Sequence, residues 1–323
     1  MTRLGFIFAA SAYLATSLAH AAGFQSIEVP SDGSLPAIEG GVWYPCAQPV
    51  SEVKVGPFTM AAAKDCPVTG EKLPLVVISH GKGGTFIGHH DTAETLADAG
   101  FVVVAISHPG DNALDRSRID DFSVFIERPT DIKRTIDFML GPWPGAEKID
   151  TTRIGLFGFS RGGHTGLVAI GAKPHFGKRL RHCDGNDSLL CDQVHKGEPP
   201  ELTHDPRIKA AVIADPLSVF FTPDSFKAVK VPVQLWGSER GGDGVTPESV
   251  VATASQLPDK PEFHTVPNSQ HFDFLPPCPS GLAKSAPIIC ADAADFDRAA
   301  FHKEFNAEVL AFFRRHLVNA KQP

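Results

Sequence analysis

Ser160 lies in Gly158-Phe159-Ser160-Arg161-Gly162-Gly163, the segment of this chain whose residue types are best suited to chemistry. The apolar run Ile154 to Phe159 before it suits a buried strand, and the small residues after it lead into Leu167-Val168-Ala169-Ile170, which suits a helix. A Gly-x-Ser-x-Gly between strand and helix sets the serine on a sharp turn, its glycines letting backbone pass where a Cβ would clash. The helix that follows aims its first N–H groups at the place where negative charge develops on an attacked carbonyl. A serine hydroxyl is a weak nucleophile and needs a base within hydrogen-bond reach, itself oriented by a third group. The chemistry this spacing suits is acyl transfer through a covalent acyl-serine.

The candidate partners follow from the order of the chain. Upstream, the apolar strand Leu75-Val76-Val77-Ile78 runs into Ser79-His80-Gly81-Lys82-Gly83-Gly84, a glycine loop able to supply one donor of an oxyanion hole. The N–H of Lys82 is the expected first donor and the N–H of Arg161, just after the serine, the second. The side chains of both are expected to face solvent. Downstream, Asn268-Ser269-Gln270-His271-Phe272-Asp273-Phe274 places a histidine just past a late strand, and His271 is the expected base. His80, His164, His195, His204, His264, His302 and His316 are weaker rivals by position. The acid stays open. Asp243, in Gly241-Gly242-Asp243-Gly244-Val245-Thr246-Pro247, follows the strand Val231–Trp236, while Asp215 ends the preceding one and Glu239 is a third choice. His89-His90-Asp91 and His108 with Asp111 match no metal-ligand spacing, and no glycine loop has nucleotide-binding context, so neither metal nor cofactor is expected.

Strands alternate with helical patterns along most of the chain. Gly40–Pro45 and Val53–Phe58 read as early antiparallel strands, and residues 22–36 as an irregular lead-in. Leu73–Ser79, Phe101–Ile106, Ile154–Phe159, Ile208–Ala214, Val231–Trp236 and Glu262–Val266 read as buried strands. Thr92–Ala99, Thr130–Leu140 (with Pro129 at its start) and Phe296–Leu317 carry helical spacing. The expected class is α/β: a mostly parallel central sheet with helices on both faces. Residues 172–206 break the pattern and read as a disulfide-pinned cap or loop insertion.

The 323 residues are 42% hydrophobic and 21% charged, the composition of a globular protein. Met1-Thr2-Arg3, an apolar stretch to Leu18 and Ala19-His20-Ala21 read as a cleaved leader of residues 1–21, leaving one domain over 22–323. The leader holds one Arg and no acid, so the formal charge moves from −7 to −8 on its removal. That acidity disfavours nucleic acid as a partner, and the short leader disfavours stable membrane insertion. Six cysteines behind a leader imply disulfides and a periplasmic or secreted location. Pairing of neighbours is expected: Cys46 with Cys66, Cys183 with Cys191, Cys278 with Cys290.

Ser-His-Gly-Lys-Gly-Gly (79–84), Gly-Phe-Ser-Arg-Gly-Gly (158–163), Ala-Asp-Pro-Leu (214–217) and His-Phe-Asp-Phe (271–274) resemble the dienelactone hydrolase-like proteins of bacteria and, more distantly, the platelet-activating-factor acetylhydrolases. The resemblance implies an α/β-hydrolase fold, a Ser-His-Asp triad and cofactor-free hydrolysis of a small-molecule carboxylic ester. True dienelactone hydrolases use cysteine where this chain has Ser160, which does not favour a dienelactone substrate. The acetylhydrolases take their acid from the position of Asp215; cutinase-like polyester hydrolases take theirs from that of Asp243. An amidase or peptidase on the same fold, and a catalytically silent binding module, are the alternatives.

Overall fold

The computed structural model describes residues 21–176, 192, 196 and 202–320. The leader to residue 20, the Cys183–Cys191 pairing and most of the expected cap lie outside the described residues.

Ten strands form one sheet: β1 (Ala21–Val29), β2 (Ile38–Cys46), β3 (Ser51–Val55), β4 (Phe58–Lys64), β5 (Leu73–Ser79), β6 (Val102–Ile106), β7 (Ile149–Phe159), β8 (Ile208–Ala214), β9 (Val233–Ser238) and β10 (Glu262–Val266). Their order across the sheet is β10-β9-β8-β7-β5-β6-β2-β1-β4-β3. From β10 to β6 every pairing is parallel; β2 joins β6 antiparallel and starts the mixed half. The parallel strands are apolar on both sides because both faces are covered. On β5, Leu75 and Val77 pack with Ile132, Ile136 and Leu167 of α2 (Ser123–Met139) and α3 (Arg161–Ala169). Val76 and Ile78 pack on the other face with Leu96 of α1 (His90–Asp98) and with Phe305, Val309 and Phe313 from the far end of the chain. Among the described residues the other α-helices are α4 (Pro247–Gln256), the short α5 (Ser280–Ser285) and α6 (Pro287–Cys290), and α7 (Arg298–Phe313).

Three expectations need correction. Val53–Phe58 is not one strand: it covers the end of β3, the hairpin turn at Gly56-Pro57 and the first residue of β4. Residues 22–29 are not an irregular lead-in: β1 pairs along its whole length with β2, and buried Phe24 packs on Trp43 with ring centroids 5.0 Å apart. Its alternation is diluted by Gln25, Ser26 and Glu28, which hides the strand in the sequence. Pro129 does not start α2 but lies inside it, and the helix begins at Ser123. The added turn carries Arg128, which matters below.

Cys46 is bonded to Cys66, and Cys278 to Cys290, as expected for neighbours. Among the described residues no helix is long and apolar enough to cross a membrane.

Candidate active site

The loops at the C-terminal ends of β5, β6, β7, β8 and β9 converge with the turn after β10. Ser160 follows the last residue of β7 and stands at the N-cap of α3 with φ 55° and ψ −119°, a conformation rarely adopted by a residue with a Cβ. The surroundings over-determine it. Its N–H donates to the Ala214 carbonyl at 3.0 Å, and its own carbonyl accepts from Leu217 and His164 at 3.0 and 3.1 Å. The glycines are required by contact distance: a Cβ on Gly162 would lie 2.0 Å from the Ser79 carbonyl oxygen, and one on Gly158 2.3 Å from that of Gly162. Gly162→Ala should therefore destabilise the protein by about 3 kcal/mol. Urea unfolding measures this, and a loss below about 1 kcal/mol would show that β5 can move away from the turn.

His271 opens a short 3₁₀ turn, His271–Phe274, after β10, and its N–H donates to the Gly241 carbonyl at 2.9 Å. The ring is buried and stacks on Phe159, centroids 4.8 Å apart. Its Nε2 is 3.0 Å from Ser160 Oγ and its Nδ1 2.6 Å from Asp215 Oδ2. Asp215 is fully buried at φ 43° just past β8. Its carboxylate also accepts from the N–H and the hydroxyl of Ser238, each at 2.8 Å. These contacts leave the His271 ring one orientation, with Nδ1–H toward the carboxylate and Nε2 toward the serine.

The other acidic candidates lie elsewhere. Asp243 is exposed in the turn 241–245 at φ 46°, and its side chain makes no hydrogen bond to a described residue. Glu239 accepts from the Asn268 N–H at 2.6 Å and does not reach the ring. Of the two aspartates left open by the sequence, the structure brings Asp215 to His271 and not Asp243.

The N–H of Arg161 starts α3, and the N–H of Lys82 lies in the tight turn 81–84; neither donates to a described group. Lys82 sends its exposed side chain to Asp120 at 2.7 Å, as expected for a solvent-facing residue. Arg161 does not: its side chain is buried and ion-paired with Asp111 at 2.8 Å.

The sequence names Asp111 and His108 only as a pair that matches no metal spacing, and does not single out Arg128; the structure joins them. Asp111, in the polar exit of β6, is fully buried and also paired with buried Arg128 at 2.8 Å. Burial pushes the Asp111 carboxyl up, but the Arg128 and Arg161 guanidinium groups outweigh it and hold it below the usual carboxylate range. His108 bridges Ser79 Oγ at 2.9 Å and Asp131 at 3.0 Å. The sequence signal was Arg128, which with Asp131 and Arg134 puts charge among the buried positions of α2. Phe220 belongs to a buried aromatic cluster with Phe122, Phe125 and Phe176, next to His164.

Among the described residues no group of three or more His, Cys, Asp or Glu is placed to hold a metal. His90 pairs with Glu94, and Asp91 with His302, which also reaches the Asp273 carbonyl beside His271.

The buried histidines should make the fold acid-sensitive. Burial pushes His80, His89 and His164 down to about 3 and His108 well below its ordinary value. Each is neutral in the fold and takes up a proton only when unfolded, once pH falls below about 6.5. Asp131 opposes them: burial pushes its carboxyl up to about 7, so it holds a proton in the fold that it releases on unfolding. The net uptake is about three protons, and stability should fall by about 4 kcal/mol from pH 6 to pH 5. Urea titrations at the two values read the slope; an uptake below about one proton would mean that these histidines carry charge in the fold.

A mostly parallel sheet with helices on both faces, and a serine on a positive-φ turn between strand and helix, is the α/β-hydrolase fold. The chain is similar to two kinds of known protein within it. The family model of platelet-activating factor acetylhydrolase, isoform II, matches residues 41–123, which run from within β2 past β6 and hold the glycine loop. A ferulic acid esterase from Streptomyces cinnamoneus superposes with a TM-score of 0.66 at 21% identity, over 96% of this chain and 93% of that one. At that identity the likeness is one of fold. No curated protein matches the sequence.

Proposed function

We propose that this chain is a serine hydrolase of carboxylic esters. The observation that carries the reading is the series Ser160 Oγ–His271 Nε2 at 3.0 Å and His271 Nδ1–Asp215 Oδ2 at 2.6 Å. In this reading His271 takes the hydroxyl proton as Ser160 Oγ attacks the ester carbonyl. The Lys82 and Arg161 N–H groups hold the oxyanion of the tetrahedral intermediate. His271 then protonates the leaving alcohol, and the acyl group stays on Ser160. Water enters, gives its proton to His271 and attacks the acyl carbonyl; collapse frees the acid and restores Ser160. Asp215 holds the ring and stabilises the imidazolium formed in each half-reaction. Asp215 takes precedence over Asp243 as acid on the contacts above.

The two disulfides among the described residues support an oxidising compartment, hence a secreted or periplasmic protein with residues 1–21 as its leader and 22–323 as one domain. Likeness to an acetylhydrolase family and to a ferulic acid esterase supports a small-molecule ester as substrate. Rates on p-nitrophenyl acetate, butyrate and octanoate and on methyl ferulate test the reading. Ser160-dependent turnover of at least one is the expected outcome. Turnover of none, or turnover that survives loss of Ser160, contradicts it.

A further inference from the structure

The two N–H groups assigned to the oxyanion lie on separate pieces of chain, the turn after β5 and the start of α3. One buried carboxylate touches both. Asp111 Oδ1 accepts from the Gly83 N–H at 3.2 Å, next to Lys82. Asp111 Oδ2 accepts from Arg161 Nη1 at 2.8 Å, the side chain of the residue that carries the other N–H. It also accepts from Arg128 Nη1 at 2.8 Å, and Arg128 Nη2 donates onward to the His80 carbonyl and to Ser79 Oγ. Arg161 Nη1 makes a further bond to the Ile119 carbonyl at 2.8 Å. His80 completes the frame, with Nδ1–H to the Gly81 carbonyl at 2.6 Å and Nε2 accepting from the His108 N–H at 3.1 Å. From Ser79 to Gly83, four of the five residues are held by this network.

Burying two arginines against one carboxylate is a costly way to gain stability, since apolar side chains of the same volume serve a core as well. What the arrangement does supply is fixed distance. A guanidinium fork bonded at both ends is a rigid strut, and a donor displaced by about 1 Å loses most of its value to a transition state.

We propose that Asp111 is a positioning residue for the oxyanion site. Through Arg161, Arg128 and the Gly83 N–H it sets the spacing of the Lys82 and Arg161 donors. This rests on the ester hydrolase reading above.

The test compares an oxo ester with its thionoester in wild type, Asp111→Asn and Arg128→Lys, with circular dichroism to verify folding. A thiocarbonyl sulfur accepts hydrogen bonds poorly and draws little from the site. Asp111→Asn should lower kcat on the oxo ester about 10- to 100-fold with KM nearly unchanged. The thionoester rate should change little, so the oxo-to-thiono ratio should fall by the same factor. Arg128→Lys keeps the charge but loses the fork, and should lower the ratio about tenfold. Equal losses on both esters, or an unchanged rate, overturn the inference and leave Asp111 a purely structural ion-pair partner. A wild type without Ser160-dependent turnover overturns the ester hydrolase reading, and this inference with it.

Discussion

Ser160→Ala should lower kcat/KM on the best p-nitrophenyl ester by about 10⁴- to 10⁶-fold. The variant keeps the turn, because alanine tolerates the same φ of 55° as well as serine does, and the hydrogen bonds that hold it are made by backbone. What disappears is, among the described residues, the one hydroxyl bonded to His271 Nε2. His271→Ala should lose about as much, and the double variant little more, because the two groups act as one unit. Residual turnover of about 10³-fold over water would come from binding and from the Lys82 and Arg161 N–H groups, which neither change touches. Unfolding by urea should be nearly unaltered for Ser160→Ala, which separates the loss of chemistry from loss of fold. An active Ser160→Ala variant would require another nucleophile, and the described structure places none beside His271.

Asp215→Asn should cost about 10⁴-fold in kcat, and Asp243→Asn less than about twofold. The carboxylate of Asp215 accepts from Ser238 N–H on one oxygen and from Ser238 Oγ and His271 Nδ1 on the other. An asparagine that keeps its oxygen on the Ser238 N–H turns its NH₂ toward Nδ1. The ring must then accept there and carry its proton on Nε2, the tautomer that cannot take a proton from Ser160. The same NH₂ meets the Ser238 hydroxyl, which can rotate to accept, so the fold should survive. Asp243 is exposed and its side chain bonds no described group, so its amide should be silent. Steady-state kinetics of both variants on one substrate decides the matter. A large loss at Asp243 with a small one at Asp215 would overturn the assignment.

Much of the fold was readable because the parallel strands are continuous apolar runs ended by glycine or polar turns. Val102–Ile106 and Ile208–Ala214 could be little else. The serine and its glycines were readable for a steric reason, since Gly158 and Gly162 have no room for a side chain. β1 was not readable, because it pairs at the mixed half of the sheet with one face partly open, and its pattern is diluted. The choice between Asp215 and Asp243 was not readable either. Both follow a strand end closely, and what separates them is Ser238, on the neighbouring strand, which places two donors on Asp215 and none on Asp243. The Asp111 network eluded the sequence for the same reason. Its members stand at 79–83, 111, 128 and 161, four segments joined only once the sheet has folded, and nothing local marks Arg161 as turned inward.

The most direct test of the central claim is to treat the purified protein with a fluorophosphonate and to find the modified residue by mass spectrometry. A fluorophosphonate reacts with a serine only where a base activates the hydroxyl and donors hold the phosphoryl oxygen. The account predicts one adduct per chain, on the peptide that contains Ser160, with labelling slowed strongly by Asp215→Asn and unaffected by Asp243→Asn. No adduct, or an adduct on a different residue, would contradict it.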